Sequence, residues 1–117
     1  MSNWRFTTAN KLIAPNGQSW SSKSGPYGKG RLPKGQYTIG SATTISSGNE
    51  NRSCRDPGGF AWWCPIAPDF NAKRDGLGIH PDGGVPGTLG CIGLTDSNTR
   101  SAYNALRNAI RQKLVVE

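Results

Sequence analysis

The sequence lacks a long hydrophobic run: no apolar stretch approaches the ~18 residues that a membrane-spanning helix needs. Residues Met1 to Phe6 also lack the hydrophobic segment of a secretory signal. We therefore expect neither a transmembrane segment nor export by the general secretory route. Histidine occurs once and cysteine three times in 117 residues, so imidazole and thiol chemistry are restricted to few positions.

Acidic residues are also few, and their scarcity gives the chain a strong positive charge. Seven Asp and Glu stand against 14 Lys and Arg, for a formal net charge of +7. Such a charge attracts polyanions, and both a bacterial cell-wall polymer and a nucleic acid qualify. The basic residues are scattered singly or in pairs, which is equally typical of a solvated surface. Because no nucleic-acid-binding motif is recognisable, we predict no nucleic-acid partner.

What the sequence does contain is concentrated between Gly78 and Leu94, GIHPDGGVPGTLGCIGL, which holds the only histidine and one cysteine. A cysteine attacks as its thiolate, which an ordinary thiol forms sparingly at neutral pH. A neighbouring imidazole that accepts the proton makes the attack practical. His80 and Cys91 are therefore the candidate base and nucleophile. The glycines around Cys91 allow the amides of Gly90 and Cys91 to face a developing oxyanion.

These residues resemble a known family. The pattern resembles the His … Ser/Thr-x-Gly-Cys-Ile motif of the L,D-transpeptidase catalytic domain, a family of cysteine enzymes acting on peptidoglycan stem peptides; the matching residues are His80, Thr88, Gly90, Cys91, Ile92 and Leu94. Upstream, Leu32 to Ile39 is similar to the Pro-x-Gly-x-Tyr/Phe-x-Ile strand of that family. Ten residues lie between His80 and Cys91, and Gly93 stands where many members carry arginine. In both respects the sequence looks like the small, toxin-like branch delivered by type VI secretion.

The resemblance implies a mechanism and a setting. Cys91 would attack the carbonyl that precedes the terminal D-alanine of a stem tetrapeptide, while His80 takes the thiol proton and returns it to the leaving amine. The resulting thioester could be hydrolysed, exchanged with a D-amino acid or used for crosslinking, and these outcomes stay open. Thr88 would position the substrate. The reaction would need no cofactor or metal. An antibacterial effector of this kind would be made in the cytoplasm, carried by a secretion apparatus to the periplasm of a target bacterium, and countered by an immunity protein. A phage lysis protein and a housekeeping enzyme are the alternatives.

The sequence leaves the state of Cys54 and Cys64 open. The turn-forming residues between them allow a disulfide, whereas two buried thiols packing as small hydrophobic groups fit as well. A structural zinc module is a further alternative, because three cysteines and a histidine form a tetrahedral ligand set; its members would be Cys54, Cys64, His80 and Cys91. No pair of them has the short spacing of a zinc knuckle. A non-catalytic cell-wall-binding module is the remaining alternative.

Short strand-like runs separated by turns predict a mainly β fold. The expected strands are Trp4 to Thr8, Lys11 to Ala14, Gln18 to Trp20, Gln36 to Ile39 and Thr43 to Ile45, with an Asn16-Gly17 hairpin turn. Since no repeat or linker is visible, we predict a single domain over residues 1–117. The resemblance implies a compact β-sandwich-like domain with its nucleophile just before a C-terminal helix.

Helical spacing supports that C-terminal helix from Ser97 to about Lys113, capped by Thr95 or Asp96; its apolar face would hold Ala102, Leu106, Ile110 and Leu114. Leu114 to Val116 would form a last strand.

Residues Ser46 to Gly76 are rich in glycine and proline and are predicted to form a long irregular lid segment. We assign a substrate groove to Trp62, Trp63, Tyr37 and Asp82. The alternative is that Trp62 and Trp63 fill a small core. His80 needs a partner that fixes its tautomer, either Asp82 or a backbone carbonyl, and the resemblance favours the carbonyl.

Overall fold

The structure, a computed structural model, describes residues 3–24, 32–45, 55–56, 58–70, 77–81, 92–96 and 98–117. The elements within those ranges are β1 (Trp4–Phe6), β2 (Lys11–Ile13), β3 (Ser19–Ser24), β4 (Gly35–Ile39), β5 (Thr43–Thr44), β6 (Trp62–Pro68), β7 (Gly78–Pro81), β8 (Ile92–Leu94), α1 (Arg100–Arg107) and β9 (Lys113–Val116). The predicted mainly β fold with one C-terminal helix is therefore confirmed. Across the described ranges, no helix has both the length and the apolar character that crossing a membrane requires.

The strands form one sheet in the order β4-β9-β1-β2-β3-β8-β7-β6-β5. An additional antiparallel pairing between β4 and β6 closes eight of these strands into a ring and leaves β5 attached to β6. Two neighbouring pairs are parallel, β1 with β9 and β7 with β8, and the others are antiparallel. Each ring strand thus has an inner face toward the core and an outer face. That residues 1–117 form one domain stays a prediction.

The N-terminal hairpins follow the sequence closely. Between β2 and β3, Gly17 has a φ of +94°, a conformation that glycine adopts without steric cost. Asn16 Oδ1 accepts a hydrogen bond of 2.9 Å from the amide of Gln18, which confirms the predicted Asn-Gly turn. Strand β3 continues past its predicted end at Trp20, because Ser22 to Ser24 pair with β8.

The core fills the inside of the ring with alternate residues of each strand. Its largest fully buried side chains are Trp4, Trp62, Tyr37, Phe6, Leu12, Leu32, Ile39, Ile79, Ile92, Leu94, Leu106 and Leu114. Trp4 and Trp20 stack with ring centroids 6.0 Å apart, and the Trp4 indole donates to Gln112. Burial of this many large apolar groups supplies most of the stability of a small domain.

Helix α1 is shorter than predicted. It ends at Arg107 because the following turns bring Arg111, at a φ of +69°, and Gln112 to the sheet. There the amide of Arg111 donates to the Ile39 carbonyl and the Ile39 amide donates to Gln112. Ile110 is consequently 50% exposed, which corrects its predicted place on the apolar face. The predicted last strand is confirmed as β9.

The start of α1 also differs from the prediction. Its N-cap is Thr99 rather than Thr95 or Asp96, and the Thr99 side chain makes no capping hydrogen bond. The hydroxyl donates instead to the buried carboxylate of Asp56 at 2.8 Å. The hydrogen bond from Thr99 to Asp56 therefore determines where α1 begins, in place of the local capping preference of Thr95 or Asp96.

The prediction of an irregular lid over Ser46 to Gly76 is wrong for its central part, where Trp62–Pro68 form strand β6. Proline normally interrupts a strand because it donates no backbone hydrogen bond, yet β6 contains Pro65. This residue lies opposite the break between β4 and β5: its carbonyl accepts from Gly40, just past the end of β4. The position at which Pro65 lacks a backbone N–H therefore lies opposite the residues where β4 has ended, so no hydrogen bond between paired strands is lost. Residues 46–54, 57 and 71–76 of the predicted lid lie outside the described ranges.

Candidate active site

His80 lies on β7 in the middle of the sheet, between β6 and β8. Its neighbour Ile79 faces the core, so strand alternation places the imidazole on the outer face. His80 is nevertheless only 5% exposed. A buried polar side chain on a central strand requires partners, and His80 has two, Trp63 and the Pro81 carbonyl.

Trp63 of β6 is the aromatic partner of His80. Cys64 pairs with Ile79, and continuing that antiparallel register by one residue sets Trp63 opposite His80. The two rings stack with centroids 5.4 Å apart and planes inclined by 17°. Trp63 is half-buried, and its contact with His80 connects the predicted aromatic residue with the predicted base.

Gly78 makes this stacking possible. A Cβ atom built on Gly78 would lie 2.4 Å from Trp63 Cζ2 and 2.7 Å from Cε2, far inside van der Waals contact. The indole therefore lies directly over the glycine backbone. Any larger residue at position 78 would displace the indole from its place beside His80.

The backbone carbonyl of Pro81 fixes the tautomer of His80. His80 Nδ1 lies 2.7 Å from the Pro81 carbonyl oxygen. A carbonyl oxygen can only accept, so Nδ1 carries the proton in this contact and Nε2 is the basic nitrogen. The structure thus provides the backbone carbonyl that the resemblance favours over Asp82.

The proposed nucleophile Cys91 lies outside the described residues, as do Thr88, Gly90, Asp82 and Cys54. Their roles stay predictions. The chain neighbour of Cys91, Ile92, begins β8 and pairs with Ile79, and Gly93 pairs with His80 itself. The strands on either side of residues 82–91 therefore pair with each other at His80.

The sequence left two states open for Cys64, a disulfide with Cys54 or a buried thiol. In this structure the Cys64 thiol is free. The side chain is fully buried on the inner face, its Sγ lies 3.7 Å from the Gly40 carbonyl, and burial raises the pKa of the thiol to about 12. This matches the alternative of a buried thiol that packs as a small hydrophobic group.

The positions of Cys64 and His80 also speak against a shared zinc ion. Cys64 pairs with Ile79 and faces the core, whereas His80 is the next residue and faces outward. Two side chains on opposite faces of a sheet cannot complete one tetrahedron. Within the described residues, no group of three or more His, Cys, Asp or Glu could hold a metal ion.

Two of the four residues assigned to the substrate groove belong to the core. Tyr37 and Trp62 are fully buried. Tyr37 donates from its hydroxyl to the Pro33 carbonyl at 2.7 Å, and Trp62 donates from Nε1 to Thr99 Oγ1 at 2.9 Å. Of the three assigned residues that the structure describes, only Trp63 has the outward position that a groove residue needs. Adjacent residues of a strand point to opposite faces of the sheet, so Trp62 and Trp63 cannot both face the core or both face outward.

Asp56 is a buried residue that the sequence analysis did not identify, and it fixes the position of Thr99 at the start of α1. Its carboxylate accepts from the Thr99 amide and hydroxyl and from the Phe60 amide, at 2.8 to 3.0 Å. Burial alone would raise the pKa of Asp56, but the hydrogen bonds from Thr99, Phe60 and Gly58 outweigh it and hold the pKa below its ordinary value. The run Asp56-Pro57-Gly58-Gly59 predicts a turn. It does not show that the carboxylate binds Thr99, whose hydroxyl also accepts a hydrogen bond from Trp62.

Comparison with known proteins extends the assignment of the fold. No protein-family model matches the sequence, and no curated protein is significantly similar to it. Among solved structures, the fold is similar to that of Mycobacterium tuberculosis L,D-transpeptidase 1, with a TM-score of 0.55 and 13% sequence identity. The match covers 97% of this chain and 58% of that protein's chain, so this chain spans little more than half of its length. At this identity the likeness establishes architecture: the chain has an L,D-transpeptidase-like β fold.

Proposed function

We propose that this chain is a cysteine enzyme acting on peptidoglycan stem peptides, with Cys91 as nucleophile and His80 as base. The observation that carries the proposal is the geometry of His80. Its Nδ1 is committed to the Pro81 carbonyl, which leaves Nε2 as the basic nitrogen. The strand beside it, β8, begins at the residue after Cys91. The L,D-transpeptidase-like fold supports the choice of substrate.

The proposed first half-reaction is acyl transfer to the thiol. His80 Nε2 takes the thiol proton, and the Cys91 sulfur attacks the carbonyl carbon that precedes the terminal D-alanine. The carbonyl electrons move to oxygen, where the amides of Gly90 and Cys91 stabilise the negative charge. When the C–N bond breaks, the nitrogen of D-alanine takes the proton from His80, and a thioester remains on Cys91.

The acceptor decides the second half-reaction. Water gives a tripeptide and L,D-carboxypeptidase activity, a free D-amino acid gives exchange, and the amine of a neighbouring stem gives a crosslink. In each case the acceptor attacks the thioester carbonyl while His80 removes its proton, and the C–S bond then breaks as His80 returns the proton to the Cys91 sulfur. We propose cleavage or exchange of the terminal D-alanine as the activity of this chain, with Thr88 positioning the substrate and without a cofactor.

The test is incubation of the purified protein with tetrapeptide muropeptides, followed by mass spectrometry. We expect tripeptide products or, when a D-amino acid is added, the corresponding adducts. Cys91→Ala and His80→Ala should both abolish these products. Unchanged muropeptides in the presence of folded wild-type protein would overturn the proposal.

Cys64→Ala is the matched control for Cys91→Ala. It removes a thiol that faces the core and is not expected to lower turnover. If Cys91→Ala kept full wall binding and the wild type had no activity, the chain would instead be the non-catalytic cell-wall-binding module.

We further propose that the enzyme is an antibacterial effector, delivered by a secretion apparatus to the periplasm of a target cell and neutralised by an immunity protein. The support is the short His80-to-Cys91 spacing and the resemblance to small toxin-like members. Expression of the chain with and without an added periplasmic signal in a Gram-negative host tests this. We expect lysis only with the signal and only when Cys91 is intact; growth unaffected by active periplasmic enzyme would argue against an effector.

A further inference from the structure

Arginine side chains and aromatic rings alternate along the outer side of α1. Arg100 Cζ lies 4.2 Å from the centroid of the Phe60 ring. Phe60 meets Tyr103 edge to face with centroids 5.3 Å apart, and Arg107 Cζ lies 5.7 Å from the centroid of Tyr103. We call these four residues the arginine–aromatic row. Both of its arginines are exposed, whereas both of its rings are half-buried.

The rings restrict the two guanidinium groups to defined places. Arg100 and Arg107 are seven residues apart, which is about two turns of an α-helix, so they lie on one face and ~10 Å apart along its axis. A guanidinium group that packs against a ring has already lost part of its freedom of movement, so binding a ligand costs it less entropy. Each group can bind an oxyanion through two parallel N–H donors.

The positive charge of this side of α1 is not neutralised by the described part of the chain. Residues 98–116 include no Asp or Glu. Within the described ranges, no ion pair involves Arg100, Arg107 or Arg111. Asp56 lines the same shallow pocket as Arg100, but its carboxylate is buried and already accepts hydrogen bonds from the chain. The row therefore favours an anionic ligand.

The stability of α1 does not account for Arg100. This residue is the first of the helix, and the first turn contains no acidic residue. Because the N-terminus of a helix carries a partial positive charge, a cation at this position is unfavourable for the helix. An exposed arginine held there by Phe60 fits a role in binding.

The surroundings of the row select among anionic partners. The apolar side of α1, with Ala102 and Leu106, is buried in the core and cannot enter a lipid layer. The rings of Phe60 and Tyr103 contact the arginines and each other, so they do not serve as platforms for nucleic-acid bases. A row of spaced cations suits an extended polymer with repeated carboxylates. Peptidoglycan is such a polymer, because its stem peptides carry free carboxylates along each glycan strand.

The row begins close to the candidate active site. Phe60 is three residues before Trp63, so their Cα atoms are no more than ~11 Å apart. Trp63 in turn stacks on His80. From Phe60 and Arg100, the row continues along α1 for two turns. A polymer with one stem at His80 is therefore able to reach the row with a neighbouring stem.

We propose that the arginine–aromatic row binds carboxylates of peptidoglycan stems other than the one that reacts, and that it thereby holds the enzyme on the polymer. This inference rests on the proposed function, because its ligand is the same polymer, but it does not involve the reacting residues. A soluble muropeptide with a single stem occupies only the active site. The row therefore contributes to activity on intact sacculi and not to activity on single muropeptides.

The test measures cosedimentation with purified sacculi, using the Cys91→Ala protein so that the sacculi stay intact. The double variant Arg100→Gln, Arg107→Gln should raise Kd by about 5- to 20-fold. The matched control Lys11→Gln, Lys34→Gln removes the same charge from two exposed lysines outside the row and should change Kd by less than about twofold. Replacing both arginines of the row by lysine should recover only part of the binding, because lysine keeps the charge but lacks the planar fork.

Sacculi whose carboxylates have been converted to amides provide the second control. The parent protein should bind them about as weakly as the double arginine variant binds untreated sacculi, because the row then has no anion to bind. Equally tight binding of the parent protein to both kinds of sacculi would overturn the inference.

Turnover by proteins with an intact Cys91 separates this inference from the proposed function. The double arginine variant should lose kcat/KM on sacculi by about the factor seen in Kd, and should keep kcat/KM on soluble tetrapeptide muropeptides within about twofold. If an active enzyme binds sacculi equally well with and without the two arginines, or loses as much binding in the lysine control, the row does not hold the wall and the function stands. An acidic protein surface would then be the alternative occupant. Arginine-dependent binding without turnover of muropeptides would overturn the function and support the row.

Discussion

The indole of Trp63 lies flat against the imidazole of His80, with ring centroids 5.4 Å apart. At the edge of the imidazole, Nδ1 lies 2.7 Å from the Pro81 carbonyl oxygen. Stacking restricts rotation of the imidazole, and the hydrogen bond selects one of its two flipped orientations. Together the two contacts direct Nε2 to one place. Trp63 is thus a positioning residue for the proposed base.

Gly78→Ala should disturb this contact without touching the imidazole. The added methyl group would overlap the Trp63 ring, so the indole must move away from His80. We expect kcat on tetrapeptide muropeptides to fall by about 10- to 100-fold, because small displacements of a reacting group are costly. His80 is the only histidine, so its two ring-proton signals in an NMR spectrum should shift as the shielding indole moves.

Trp63→Ala provides the control for this prediction, as one half of a double-mutant cycle. If the overlap with Trp63 causes the defect, Gly78→Ala should add little to a chain that already lacks the indole. A full additional loss in the double variant would mean that Gly78 acts through the strand itself.

Cys64 should resist modification in the folded protein. Burial raises the pKa of its thiol to about 12, so at pH 8 only about one thiol in 10⁴ is ionised. In a Cys54→Ser, Cys91→Ala background, we expect iodoacetamide to leave Cys64 unlabelled in buffer and to label it fully in denaturant, as read by intact mass. Rapid labelling under native conditions would show that β6 opens readily.

Asp56 should make stability depend on pH in the acidic range. Its pKa lies below the ordinary value in the folded chain, so its contribution is complete above about pH 5 and is lost as the pH falls through the folded pKa. Asp56→Asn should lower the free energy of unfolding at pH 7 by about 2–3 kcal/mol, because donors from Thr99 and Phe60 lose a charged acceptor.

Urea titrations at pH 7 and pH 2.5 measure this effect. The difference in unfolding free energy between wild type and Asp56→Asn should be smaller at pH 2.5. If the difference in unfolding free energy were the same at pH 7 and pH 2.5, the charge of the Asp56 carboxylate would not be its cause.

Tyr37→Phe should affect stability and leave catalysis unchanged. The Tyr37 hydroxyl donates to the Pro33 carbonyl within the core, and its loss should cost about 1 kcal/mol of unfolding free energy. We expect kcat and KM to remain within about twofold of the wild-type values. A selective rise in KM would return Tyr37 to the substrate groove, where the sequence had placed it.

Local patterns predicted the N-terminal hairpins and the last strand, because turn residues and alternation act over a few positions. They overextended the helix, since the apolar spacing continues through Ile110 while the backbone of Arg111 and Gln112 is already bonded to Ile39. They missed β6, because the break between β4 and β5 that accommodates Pro65 is visible only in the sheet.

The residues of the candidate site could be named from the sequence, but their arrangement could not. A lone histidine upstream of a Gly-Cys pair led to the prediction of His80 as the base, and that role stays a prediction. Which of Trp62 and Trp63 faces outward could not be predicted, because it depends on which residues of β6 point toward the core. The pairing of His80 with Gly93 depends on the register between β7 and β8, which no local pattern shows.

Closure of the sheet by β4 and β6 gives each strand of the ring a neighbour on both sides. Strand β7 cannot fray from an edge, and all four of its residues are buried. Deuterium uptake at the amides of Ile79 and His80 should therefore report global unfolding rather than local opening. We therefore expect the imidazole to be carried by a slowly exchanging strand, and heat or denaturant to abolish turnover and amide protection in a single transition.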